Sequence, residues 1–273
     1  MIQVAEPQEG LTIESALTDG VLIYMKLHVT APEDVSLVSR ELRYHYAPGN
    51  GKNWDFLEEG FDRGKEDVIT LHGEVIYNSL QYLPVEDGDG MDSTMDFVVL
   101  GMLQGGWDME TRSQKPLNLE GETITVRFED FWRHVVNEKD NSFWEEQVLE
   151  GEWSFEIPVT KENLKTRELI YEPLDAELQY IDMEAEEKTM AWEPVSLTAV
   201  TLRPLCVDIF YENSQGEGNF GWEIQAVMKN GEQITLYSQY GGHEYTRYFA
   251  RSPIVIDQVD HLILGKGTVV EAS

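Results

Sequence analysis

The nine residues "VLIYMKLHV" (21–29) decide the fold class. Val21, Ile23, Met25, Leu27 and Val29 fall on one side of an extended chain, and Lys26 and His28 on the other. That period of two is the mark of a strand with one face on a core. The same spacing recurs in "ETITVRFEDF" (122–131), where Ile124, Val126 and Phe128 alternate with Thr125, Arg127 and Glu129. It recurs again in "EWSFEIPV" (152–159), with Trp153, Phe155, Ile157 and Val159 aligned. Each segment reads as a half-buried strand.

Strand texture returns after residue 190. "VSLTAVTLRPLCVDIFYE" (195–212) reads as two strands or one bent strand, with Pro204 at the irregularity. In "WEIQAVMKNGEQITLYS" (222–238), Asn230-Gly231 between two alternating runs signals a hairpin with a type I′ turn. "SPIVIDQVDHLILGKGTVV" (252–270) supplies two or three further short strands. Helical pattern is confined to "DNSFWEEQVLEG" (140–151), with Asn141 or Ser142 as cap and Gly151 as stop. Residues 161–188 carry no basic residue between Arg167 and Lys188. "RELIYE" there is strand-like, and the rest reads as a solvated acidic connection. The expected architecture is all-β: two immunoglobulin-like β-sandwich domains, 1–159 and 160–273, with at most short helices.

Composition narrows the function. The 273 residues hold 20 basic and 51 acidic side chains, for a net charge of −31. Such a chain is repelled by nucleic-acid phosphates and by anionic lipid, so neither is an expected partner. The single cysteine, Cys206, forbids an intrachain disulfide and, inside an apolar strand, reads as core. No run approaches the length of apolar chain that a membrane span needs, and "MIQVAEPQEG" (1–10) has no signal-peptide pattern.

Three phrases carry a resemblance: "GLTIESALTDGVLIYMKLHV" (10–29), "LEGEWSFEIPV" (149–159) and "VSLTAVTLRPLCVDIFYE" (195–212). In that order they resemble the extracellular part of bacterial membrane-anchored, anti-sigma-factor-like proteins. In that family a domain of unknown function precedes an immunoglobulin-like domain, outside the membrane and after one transmembrane helix. Arg203 and Cys206 depart from the pattern. The resemblance implies an extracytoplasmic location, an anchor outside this sequence, an expressed fragment starting at Met1, and an extracellular ligand or protein as partner. It brings no catalytic residues.

Motifs for chemistry fail one by one. "EDGDGMDS" (86–93) offers Asp87, Asp89 and Asp92 as metal-ligand candidates. Counted from Asp87, however, an EF-hand would need an oxygen ligand at Met91 and a bidentate Glu at Val98. The stretch reads as the polar turn between "EVIYNSLQYLPV" (74–85) and "STMDFVVLGML" (93–103). "GKGT" (265–268) lacks the spacing of a phosphate loop and reads as a turn, and "GGHEYTR" (241–247) places Arg247 where a zinc helix needs its second His. His28 and His261 read as surface or hydrogen-bonded strand residues. No catalytic constellation and no cofactor are expected. Among the tryptophans, Trp153 and Trp222 fit apolar faces and read as core. Trp54, Trp107, Trp132 and Trp144 sit in polar or loop-like contexts; Trp54 and Trp107 are the candidate ligand residues of an alternative reading, a carbohydrate-binding module or glycosidase-type domain.

Overall fold

The structure is a computed structural model describing residues 10–35, 37, 60–61, 68–84, 93–105, 107–108, 113–114, 117–136, 143–169, 173–182, 189–212, 218–241 and 244–271. At some strand positions, among them 107, 133–136, 143–146, 181–182 and 189–190, only the backbone is described. The protein is all-β and sandwich-like, as the alternation predicts; among the described residues there are single-turn 3₁₀ helices at Ile256–Gln258 and Gly265–Gly267. It divides into two compact units, Met1–Lys161 and Glu162–Ser273.

In the first unit the strands are β1 (Leu11–Thr18), β2 (Leu22–Thr30), β3 (Gly60–Phe61), β4 (Ile69–Leu71), β5 (Glu74–Val75), β6 (Tyr77–Pro84), β7 (Thr94–Leu103), β8 (Trp107–Asp108), β9 (Ser113–Gln114), β10 (Thr123–Val136) and β11 (Phe143–Pro158). One sheet runs β1-β2-β7-β6 and another β11-β10-β4-β5, with β3 also on β10. Apolar residues at alternate positions meet between them. Phe97 of β7 packs edge-on against Phe131 of β10 at 5.6 Å. A Cβ on Gly101 of β7 would sit 2.8 Å from both Ile23 Cγ2 and Ile69 Cδ1, so the side chains of both sheets close over that glycine.

Two details of this unit differ from the sequence reading. Phe143–Pro158 is a single 16-residue strand, not partly helical. It pairs with β10 from Thr123↔Pro158 to Val136↔Phe143, and that long ladder outweighs the local helical pattern. Gly151, expected to end a helix, instead donates its N–H to Asp130 Oδ1 (3.0 Å) at a bulge where Asp130 has φ 40°. Trp132 and Trp144, expected in loop-like contexts, lie in β10 and β11.

The second unit holds β12 (Arg167–Glu168), β13 (Leu174–Asp182), β14 (Thr189–Leu202), β15 (Cys206–Glu212), β16 (Gly218–Asn219), β17 (Glu223–Met228), β18 (Gln233–Gly241), β19 (Tyr245–Ala250), β20 (Val259–Ile263) and β21 (Val269–Glu271). They form one antiparallel sheet in the order β16-β13-β14-β15-β19-β18-β17-β20-β21, with β12 on β14. The sheet curls round a single core. Lys266, in the turn before β21, reaches back to Glu177 of β13 (3.1 Å), and Arg167 of β12 donates to the carbonyls of Ile256 and Val259. At the centre, Tyr248 is fully buried, its hydroxyl accepting from Phe220 N (2.6 Å) and donating to Gly221 O (2.9 Å). Burial pushes this phenol well above its ordinary pKa, so it stays a neutral donor.

The acidic connection expected over 161–188 is in part a core strand. Leu174–Asp182 pairs with β14 over nine residues, burying Ala176 and Leu178 while Asp175 and Glu177 face water. Acidic alternates on the wet face disguised an ordinary period-two strand. The 222–238 hairpin forms, but its turn is not type I′. Gly231 alone has positive φ (85°), and Gly231 N bonds Met228 O while Met228 N bonds Glu232 O. This is a type I turn closed by a glycine bulge, with Asn230 Oδ1 accepting from Glu232 N (2.9 Å).

Candidate functional site

Most of the residues singled out from sequence lie outside those the structure describes. Asp87, Asp89, Asp92, Trp54 and His243 lie outside the described residues. The strands flanking the aspartates, β6 and β7, pair with each other as far as Pro84↔Phe97. Trp107 contributes backbone to β8, and its side chain is outside the described residues. Trp132 is half-buried, with an Nε1 that has no acceptor. Trp153 is core at 4% exposure, as expected. Trp222 is not: it is 71% exposed. The strand begins one residue later, at Glu223, and Gly221 (φ 102°) turns the chain just before it. Cys206 is buried, as its apolar strand implies.

Two features of the first unit are candidates. On the outward face of β1, β2 and β7, Lys26 bridges Glu14 (2.5 Å) and Asp96 (3.2 Å), and His28 Nδ1 meets Asp96 Oδ1 (2.7 Å). A bulge between Ile13 and Ser15 sets Glu14 beside Lys26. Glu14, His28 and Asp96 bring donor atoms within 4.8 Å of one another, the spacing of a loose metal site. The Lys26 ammonium already bridges both carboxylates, so the cluster satisfies itself. Its hydrogen bond to Glu14, with help from Asp96, raises the lysine pKa against the cost of burial. Burial alone would raise the Asp96 carboxyl, but hydrogen bonds from His28 and Lys26 and the charge of Lys26 hold it below its usual range.

The second is a cavity of about 600 Å³ lined by residues that include Gly10, Thr30, Leu149, Glu150, Glu152 and Trp153. Two exposed carboxylates give it a preference for cations. Trp153 is almost wholly buried, so it offers no ring face to a ligand.

The second unit carries the more distinctive arrangement. Val207, Ile209 and Tyr211 of β15, and Tyr248 and Ala250 of β19, point into the core. Alternation therefore turns Cys206, Asp208 and Phe210, and Tyr245, Arg247 and Phe249, to the outer face. Register sets them in rows: Cys206↔Phe249, Asp208↔Arg247 and Phe210↔Tyr245. Asp208 is only 3% exposed, and Arg247 grips both its oxygens, Nε to Oδ1 at 2.6 Å and Nη2 to Oδ2 at 3.1 Å. Such a planar fork is the strong form of the ion pair. Burial opposes the Arg247 charge, but the bonds to Asp208 prevail and raise its pKa.

Arg203, from the turn joining β14 to β15, brings a second guanidinium. Its Nε lies 3.5 Å from Asp208 Oδ2, yet this buried nitrogen has no hydrogen-bond acceptor. Across the same face Arg251 lies over the Tyr237 ring at 4.4 Å, and Tyr237 packs on Phe249 at 5.9 Å. Phe210, 38% exposed, stacks on Tyr245 at 5.6 Å. The outward carboxylates here are Asp208, Glu168, Glu212 of β15 and Glu223 of β17, which pairs with Tyr237; Thr201 Oγ1 donates to both Glu168 oxygens. At Asp208 itself two guanidiniums, Arg247 and Arg203, meet one carboxylate, in a chain whose totals are 20 basic against 51 acidic.

Fold and site together define an all-β, sandwich-like protein with an outer sheet face of arginines and aromatic rings. No protein-family model matches the chain, and no curated protein does. Among solved structures, the crystal structure of a conserved domain protein from Bacillus anthracis is similar at a TM-score of 0.38 and 11% identity, over 96% of this chain and 75% of that one. At that distance the likeness carries neither fold nor function across. Among the described residues no helix is long and apolar enough to cross a membrane.

Proposed function

We propose that the protein is a non-catalytic interaction or sensory module, the extracytoplasmic part of a membrane-anchored bacterial protein tied to sigma-factor regulation. It would engage its partner through the outer face of β15 and β19. The observation that carries the binding role is the Asp208-ordered pair of arginines beside the exposed Phe210–Tyr245 stack. Arginine and aromatic side chains held rigid by their neighbours are what protein surfaces use as binding anchors. The cellular setting is supported by the resemblance of residues 10–29, 149–159 and 195–212.

The test places a photo-cross-linking side chain at position 210, and separately at Val269, an exposed residue of β21, in cells of the producing bacterium. A discrete adduct from 210 and none from 269 is expected; equal labelling, or none, would count against this face. Fractionating the same cells with an antibody should place the protein in the membrane; a wholly soluble band would remove the anchored setting.

A second reading has its own observation. Trp222 exposes 71% of its surface, enough for a ring to stack on a sugar. If so, a glycan-array signal should appear and Trp222→Ala should abolish it; an array without signal ends the carbohydrate-binding reading.

A further inference from the structure

We infer that Arg203 is the receptor for an organic carboxylate whose attached ring or apolar group lies along Phe210 and Tyr245. The inference rests on the reading of this face as a binding surface and names its ligand chemistry. Asp208 can serve one guanidinium fully, and it serves Arg247, with both oxygens hydrogen-bonded. Arg203 is left with attraction at 3.5 Å and no bond at Nε. A guanidinium carries five donors and no acceptor, so Arg203, which shares Asp208 with Arg247 and has no hydrogen bond at Nε, keeps donors for a second anion. The side chain is 24% exposed while its Nε is buried, so a ligand takes the Nη edge.

The geometry favours a carboxylate over a bare anion. Phe210 lies two residues beyond Asp208 on the same face, about 7 Å along the strand. A carboxylate at Arg203 can therefore set its substituent on the aromatic stack. Arg251 supplies a further positive charge across the sheet, from its place on Tyr237. The chain as a whole, at −31, repels acidic ligands, so an anion needs a local group of arginines such as this one.

The probe is benzoate, with benzamide as its neutral isostere, titrated into the whole ¹⁵N-labelled protein. Benzoate should bind at least tenfold more tightly than benzamide and move the Arg203 Nε–Hε resonance. Arg203→Gln should weaken benzoate at least tenfold and leave benzamide unchanged, with amide shifts distant from the face intact. Arg203→Lys should recover only part, since an ammonium keeps the charge and loses the fork. Equal binding of benzoate and benzamide, or an unmoved Arg203 resonance in the wild-type protein, overturns the proposal. That wild-type measurement decides even if Arg203→Gln fails to fold. Failure here with the position-210 adduct retained removes the carboxylate alone; loss of both removes the face.

Discussion

Cutting Arg247 back to Met isolates the energetics on which the outer face depends. Asp208 would remain 3% exposed, with its two short bonds gone and only Arg203 nearby, at 3.5 Å. Stripping one partner from a buried pair costs roughly 3–5 kcal/mol. Arg203 can swing in to offset part of that, so the expected cost is about 3 kcal/mol. Asp208→Leu should cost less, about 1–2 kcal/mol, because Arg247 is 16% exposed and can turn its head group toward water. The double variant holds no buried charge, so its cost should fall below the sum by about 2 kcal/mol. The assay is amide hydrogen exchange of 206–212 and 245–250, which reports the opening of this sheet and not of the first unit. Costs that add to within about 0.5 kcal/mol would show the pair uncoupled and refute the argument.

Three other outcomes follow from the geometry. Gly265→Ala would put a Cβ 2.2 Å from the Phe220 carbonyl oxygen, while Gly267 has open space and only its φ of +87° to resist substitution. The first should cost about 3 kcal/mol or more and the second ~1–2 kcal/mol, read as a clearly larger fall in melting temperature for Gly265→Ala. Asp96 has a depressed folded pKa, so its contribution is present above the unfolded value of about 3.9 and lost as pH falls through the folded one. Asp96→Asn should therefore destabilise by about 0.5–1 kcal/mol at pH 7 and converge on the wild type toward pH 2, in urea titrations at both pH values. Trp153→Ala should cost about 3–5 kcal/mol and Trp222→Ala less than about 0.5 kcal/mol, since one ring is 4% and the other 71% exposed.

The strands whose large apolar residues alternate without a break were legible from sequence alone, 21–29 being the plainest. Leu174–Asp182 was not, because it lies inside a stretch with no basic residue from 168 to 187, and its inward Ala176 weakens the apolar stripe. The helix expected at 140–151 reflected local pattern, whereas the conformation of 143–151 is set by pairing along β10, from Phe131↔Leu149 to Val136↔Phe143. Trp222 kept the right parity but fell one residue outside the strand, beside a glycine whose positive φ no alternation reveals. The Arg203–Asp208–Arg247 cluster joins residues 39 positions apart, so no spacing motif could announce it. The one local signal was an aspartate inside the apolar run "LCVDIF" (205–210), a charge that a buried strand tolerates only with a partner.

The most direct test of the binding face is a hydrogen-exchange footprint of the intact protein, with and without a surface extract of the bacterium that makes it. Binding through β15 and β19 predicts new protection concentrated in 199–212 and 244–251, abolished by Arg203→Gln. Protection confined to 10–35 and 149–153, around the first unit's cavity, would contradict it.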